Sequence, residues 1–265
     1  MTLSFRDSLT GKVQPFRASK ERAVAMYVCG PTVYDGAHVG HARTYLYFDV
    51  LRRYFQAIGQ PVRHVMNITD FEDKITERAV SQGMHWAALA RREERRFFAD
   101  MAGFNILPPH IIPRSSEFVP AMIRLIRRLE RTGRTYERGD SMFYRPPPES
   151  AGANFLIGAE LRRHAVLEPG HAPPDVDATA RDILLWRRQV PPAPSWESPW
   201  GRGAPGWHLE CYAMASRHLG VPVDLHGGGL DLVFPHHYAE NEIAREVSQT
   251  WFSHRFLHTA FVTEQ

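Results

Sequence analysis

The sequence predicts an α/β domain: a parallel sheet with helices on both faces and a smaller lobe inserted between its two halves. Three observations carry this expectation. Residues 23–28 form a short apolar run, residues 41–58 follow with helical periodicity, and residues 62–68 alternate like a strand. A strand, a helix and a second strand in that order make a β-α-β unit and imply parallel neighbours. Residues 221–226 then read as another strand, ending in Gly227-Gly228-Gly229, with a helix opened by Phe234-Pro235 and running from His236 to Val247. Between these halves, residues 138–194 are weakly periodic and rich in proline, as a loop-rich insertion would be.

The elements follow in order. In the first helix Ala42, Leu46, Val50, Leu51 and Phe55 gather toward one side, and Gly59-Gln60-Pro61 ends it. Residues 87–101 and 118–129 read as helices with basic residues on the polar face, and Gly133 suits a helix C-terminus. Pro146-Pro147-Pro148, Pro169-Gly170 and Pro191-Pro192-Ala193-Pro194 punctuate the insertion, and helical character returns at 207–218. The expected division is a first catalytic-domain half at 1–107, an insertion at 108–181 and a second half at 182–265, with no internal repeat.

Composition narrows the class. The chain has 265 residues, 43% hydrophobic and 23% charged, which fits a globular protein with a sizeable core. No apolar run approaches the roughly 18 residues of a membrane span, and the polar N-terminus lacks a secretory core. Two widely separated cysteines make no disulfide framework, so a reducing, cytoplasmic setting is expected. The formal charge of +3 permits a nucleic-acid partner without arguing for one. Lysine occurs only at 12, 20 and 74.

Three clusters carry chemistry. In His38-Val39-Gly40-His41 two histidines flank a glycine where a strand turns into a helix. A helix N-terminus offers free N–H groups and a positive dipole end to phosphate. Gly40 lets a ligand approach the backbone, and His38 and His41 can stabilise charge growing in phosphoryl or nucleotidyl transfer. Without its surroundings, so short a string reads more readily as two ordinary turn histidines. Cys29, Cys211, His236 and either Glu240 or Glu242 combine soft thiolates with imidazole and carboxylate, a donor set that suits zinc. The plain alternative is two buried free cysteines. His236 and Glu240 stand one helical turn apart, which favours Glu240. Gly227, Gly229 and Asp231 suit close approach of a ring or sugar and acceptance from ribose hydroxyls, against a plain flexible turn.

Taken together, these segments resemble the cysteinyl-tRNA synthetases of the class I aminoacyl-tRNA synthetase superfamily. The resemblance is carried by the block from Cys29 to Arg43, Asn67-Ile68-Thr69-Asp70, Asp73-Lys74-Ile75, Pro194-Ser195-Trp196, Ser198-Pro199-Trp200-Gly201, Gly206-Trp207-His208-Leu209-Glu210-Cys211, Asp224 to Asp231 and Phe234-Pro235-His236-His237. It implies a Rossmann-like fold of the class I synthetase and nucleotidyl-transferase type, and ATP, with Mg2+, bound at His38 to His41 and along Gly227, Gly229 and Asp231. It also implies zinc on Cys29, Cys211, His236 and a glutamate, cysteine held with the help of Thr32 and Trp207, and formation of cysteinyl-adenylate. The family's usual His-His-Glu-Asn-Glu string points to Glu242 where the helical spacing points to Glu240.

The family also carries a Lys-Met-Ser-Lys-Ser loop and a helical domain that reads tRNA. This sequence stops at Gln265, about where that loop would begin, and has no lysine after Lys74. Anticodon reading is therefore not expected of these residues. Three readings stay open: the catalytic portion of a full synthetase, a free-standing ligase joining an activated amino acid to a small amine, and a non-catalytic zinc- or cysteine-binding homologue.

Overall fold

The computed structural model describes residues 3–18, 21–147 and 182–262. A hairpin of β1 (Leu3–Arg6) and β2 (Val13–Phe16) precedes β3 (Val24–Val28), α1 (Val39–Ala57), β4 (Val62–Met66), α2 (Asp73–Ser81), α3 (Trp86–Gly103) and α4 (Val119–Glu130). Four short strands follow: β5 (Thr135–Arg138), β6 (Ser141–Tyr144), β7 (Ile183–Arg188) and β8 (Gly203–Pro205). The chain then forms α5 (His208–His218), β9 (Leu225–Gly229), α6 (Tyr238–Ser248) and β10 (Phe256–Thr259).

The central sheet is parallel throughout, in the order β10-β9-β3-β4. All five residues of β3 are buried, because helices cover both faces of the sheet and leave no solvent side for a polar alternate. Val24, Met26 and Val28 face the core under α1 and α3, while Ala25, Tyr27 and Cys29 face the core under α4, α5 and α6. The segment after α3 extends the β4 edge, with the Ile68 N–H donating to the Pro113 carbonyl at 2.9 Å. The chain leaves β3 toward β4 and later returns to β9 on the other side. The carboxyl ends of β3 and β9 thus flank a topological switch point, where open α/β sheets hold their ligands.

A second, antiparallel sheet runs β5-β6-β7-β8. It takes two strands from before residue 148 and two from after residue 181. The expected turn signals at Pro148 and Pro169-Gly170 lie outside the described residues. The division at 107/108 and 181/182 stands as a proposal, and this sheet has strands on both sides of its second boundary.

The structure corrects the local reading in three places. In α1, Leu46 and Val50 are exposed, whereas Tyr45, Phe48, Asp49 and Arg52 are buried. Charged residues join the inner face because each finds a partner: Asp49 accepts from Arg53 at 2.7 Å, and Arg52 donates to the Pro108 carbonyl at 2.7 Å. The strand expected at 221–226 is shifted to Leu225–Gly229, so the glycines belong to the strand. A Cβ at Gly227 would overlap the Phe48 ring, which shows why α1 packs so closely there. Upstream, Asp224 is held by Arg22 at 2.5 and 2.7 Å and by the Ala25 N–H at 2.8 Å, which pins the entry to β9. Finally, α6 begins at Tyr238 after a wide turn at Val233–His237, since Phe234 is extended (φ −142°, ψ 134°). Among the described residues, no helix is long and apolar enough to cross a membrane.

Gly227→Ala should therefore destabilise the domain by about 1–3 kcal/mol, the usual cost of forcing extra volume into a packed core. Urea unfolding reads this directly; an unchanged midpoint would show that Phe48 moves aside freely.

Candidate functional site

Three segments far apart in the chain converge at the carboxyl end of β3. Cys29 follows β3, Cys211 lies in the first turns of α5, and His236 and Glu240 lie on the turn into α6 and on its first turn. All four side chains are buried. The Cys29 Sγ is 3.6 Å from the Cys211 Sγ and 3.7 Å from the Glu240 Oε1. The Cys211 Sγ is 3.4 Å from the His236 Nε2, which lies 2.9 Å from the Glu240 Oε1. Tetrahedral zinc ligands stand about 3.3–3.8 Å apart when sulfur binds at about 2.3 Å and nitrogen or oxygen at about 2.0–2.2 Å. The cluster is therefore close to the right size for one such ion. Glu242 is also buried, but its Oε1 faces Arg245 at 3.7 Å.

A second shell of histidines surrounds this cluster. The Glu240 Oε2 is 2.7 Å from the His226 Nε2, and the His237 Nε2 is 3.3 Å from the Cys29 Sγ. His237 in turn meets His258 of β10 at 2.8 Å, and the Nδ1 atoms of His208 and His236 are 3.1 Å apart. Cys29, His226, His237 and Glu240 form an alternative donor set sharing two members with the first. In sequence, residues 225–231 stand out for their glycines and His226 beside them gives no sign of its role; His258 sits on an unremarkable strand and carries no signal.

The electrostatics are those of buried anions in need of a cation. Burial raises the Cys29 thiol, but its hydrogen bond to Cys211 and the neighbouring histidines outweigh that and hold it well below the ordinary range. Burial and the Cys29 charge push Cys211 well up. Against burial, Glu240 raises His226 to about 9 and His236 to about 10. Those imidazolium protons supply the positive charge that a metal ion would supply in their place.

The polar floor continues through Glu210, whose Oε2 accepts from Thr69 at 3.0 Å and from Ser115. Burial raises this carboxyl to about 8. Trp207 stacks on the His236 ring, with centroids 4.0 Å apart and planes 15° apart, so it forms a wall against the cluster. Thr32 bridges to Thr69 through the backbone at the extended ends of β3 and β4. The Gly30 N–H donates to the Asn67 Oδ1 at 2.9 Å, and a Cβ at Gly30 would overlap the Asn67 carbonyl. That close approach needs glycine and fixes the turn carrying Cys29.

His38 and His41 stand at the start of α1, as expected. Their rings stack 3.8 Å apart, and the His38 N–H donates to the His41 Nδ1 at 3.2 Å. A Cβ at Gly40 would come within 3.0 Å of the His38 ring, so here the glycine makes room for the imidazole. Tyr45, one helical turn on from His41, donates to the Cys29 carbonyl at 3.3 Å and ties this helix to the thiol cluster. Asp231 follows Gly229 in a short turn beyond β9, close enough to contribute to the raised Tyr45 phenol after burial and Cys29. The structure thus brings the histidine pair, the glycine strand with Asp231 and the buried donor cluster to one end of the sheet.

A parallel sheet carrying its polar groups at the switch point defines a Rossmann-type nucleotide-binding domain, of the class I synthetase kind. The chain belongs to the family of tRNA synthetases class I (C) catalytic domains, whose family model matches residues 15–265. It is 44% identical over 268 residues to a Cysteine--tRNA ligase of Pyrococcus horikoshii, an alignment covering 99% of this chain and 55% of that protein. A Cysteine--tRNA ligase of Anaeromyxobacter dehalogenans is 42% identical over 272 residues, with the same coverage. The chain spans about half the length of these curated relatives. Among solved structures, methionyl-tRNA synthetase of Mycobacterium tuberculosis bound by methionyl-adenylate shares the fold, with TM-score 0.68 and 17% identity over 91% of this chain and 58% of that one.

Burial, reinforced by His38, lowers His41 to about 4, so the ring is neutral near pH 7. NMR titration of its ring protons should show a midpoint near 4, well below the ordinary value of about 6.5. The unfolded chain binds the extra proton between those values, so the His41 contribution to stability is complete above pH 6.5 and is lost as pH falls toward 4. His41→Gln should reduce the acid sensitivity of stability in that window; a His41 midpoint of 6.5 would contradict the half-buried, neutral assignment.

Proposed function

We propose that this domain activates cysteine with ATP, forming cysteinyl-adenylate and pyrophosphate. The observation that carries the reading is the convergence of two thiols, an imidazole and a carboxylate beneath a helix start bearing two histidines. The donor set fits zinc, with Cys29, Cys211, His236 and Glu240 as its proposed ligands. The pair of sulfurs favours this set over the one with His226 and His237. Bound there, zinc would supply a soft Lewis acid that prefers a thiolate to a hydroxyl, which serine cannot match. His226 on Glu240 and His208 on His236 would fix the ligand orientations.

In this reading Trp207 and Thr32 bound the amino acid so that its carboxylate faces the ATP site. The N–H groups at the start of α1, with His38, Gly40 and His41, receive the phosphates of ATP, bound with Mg2+. Gly229 offers backbone to the adenosine, Gly227 lets Phe48 of α1 pack against that strand, and Asp231 accepts from the ribose. A carboxylate oxygen of cysteine attacks the α-phosphorus, the bond to the β-phosphate oxygen breaks, and pyrophosphate leaves. The chain's part is positioning and charge stabilisation. The cysteinyl group would then pass to tRNA, the acceptor that the family relationship supports. Two buried free thiols suit a reducing compartment such as the cytoplasm.

Cysteine-dependent exchange of labelled pyrophosphate into ATP tests the reaction. The proposal expects exchange with cysteine and none with serine; no exchange by folded, zinc-loaded protein would contradict activation by these residues alone. Metal analysis tests the site separately. Cys211→Ser should lose most bound zinc, while His226→Ala, which frees the Glu240 carboxylate from its imidazole partner, should weaken zinc by about 10–100-fold. Unchanged zinc affinity in both variants would remove the metal from this cluster.

A further inference from the structure

On the far side of α1 from solvent, a separate cavity of about 220 Å³ lies between β4, α1 and the C-terminal half of α3. Its walls are apolar, chiefly Met66, Phe97, Phe98, Met101 and Ile106. One lining group is out of character: His64 is buried, and neither ring nitrogen meets a hydrogen-bond partner among the described residues. We propose that this cavity is a binding site for a small neutral aromatic molecule carrying one hydrogen-bonding group, of the phenol or indole class.

Size sets the first limit. Apolar cavities of about 150 Å³ take benzene, and pockets for drug-sized ligands begin near 300 Å³. One or two fused rings fit between those values. Lining chemistry sets the second: aromatic and thioether walls favour a flat apolar body, and a charged ligand would be desolvated without a counterion. His64 sets the third. A neutral imidazole offers one donor and one acceptor, and an unmet buried pair is costly. Burial, with Arg52 and His110 nearby, holds the ring neutral down to about pH 3. Water is a poor substitute because it needs two to four polar partners. The Tyr45 hydroxyl is engaged by the Cys29 carbonyl, and the Pro108 carbonyl by Arg52. Exposed Ala102 and Leu107 mark the way in. Phe97 is shared with the nucleotide end of the domain, its ring lying edge-on to Tyr45 at 5.2 Å and to His41 at 6.4 Å. An occupant pressing on Phe97 therefore changes the packing of His41.

Titration of the whole chain with 4-methylphenol, followed through ¹³C-methyl methionine resonances, tests the site without relying on activity. The Met66 and Met101 methyls should shift saturably, the remote Met122 and Met142 should not, and the His41 ring protons should move with the same affinity. His64→Leu, which removes the unmet polar group while keeping apolar bulk, should weaken 4-methylphenol about fivefold, the loss of one ordinary hydrogen bond, and leave toluene unchanged. Silent Met66 and Met101 methyls, or a linear response shared by all methionines, would overturn the site. Equal 4-methylphenol affinity in wild type and His64→Leu would overturn the role given to His64, and a static His41 would overturn the link to the nucleotide end.

Discussion

Two thiols and a carboxylate buried within 4.8 Å of one another can persist only with positive charge among them. The rest of the domain is arranged around that constraint. Cys29 ends the central strand, Cys211 is brought from α5, and His236 and Glu240 come from the turn and helix after β9. Hydrogen bonds outside the cluster hold two of these segments, Gly30 against Asn67 and Glu210 against Thr69 and Ser115, and Trp207 packs on the His236 ring itself. The cost of burying the charge falls on a rigid frame, so the donors stay close together instead of relaxing apart. The proposed preference for sulfur over oxygen requires such a frame, since selectivity depends on geometry set before the ligand arrives.

The same frame connects the cluster to the histidine pair. Tyr45 joins α1 to the Cys29 carbonyl, and β10 runs beside that helix, with Thr44 and Thr259 hydroxyls 2.7 Å apart and Arg43 donating to the Phe261 carbonyl at 3.1 Å. The end of β10 therefore lies against the first turns of α1. The donor cluster and the histidine pair are placed at one crevice by the strand order, because β3 leads through Cys29 below to His38 and His41 above.

Much of this was legible in the residues. The apolar run of β3, the periodicity of α1 and α4, and the glycines before Asp231 follow local rules of strand and helix formation, so the parallel sheet could be inferred. The donors were legible for a different reason: thiol, imidazole and carboxylate are scarce enough to stand out, and the i, i+4 spacing of His236 and Glu240 survives folding because the wide turn carrying His236 runs directly into α6. What was hidden depends on tertiary partners. Arg52 and Asp49 are buried because Pro108 and Arg53 meet them. The glycines of β9 lie in the strand because Phe48 occupies the space beside Gly227. His226 and His258 join the shell only through neighbours distant in sequence.

Zinc-edge X-ray absorption on the metal-loaded chain, with and without cysteine, tests the central claim most directly. The account predicts two sulfur neighbours at about 2.3 Å in the loaded protein, three when cysteine is added, and two when serine is added instead. A metal shell lacking sulfur, or one that cysteine leaves unchanged, would contradict thiol recognition at this cluster.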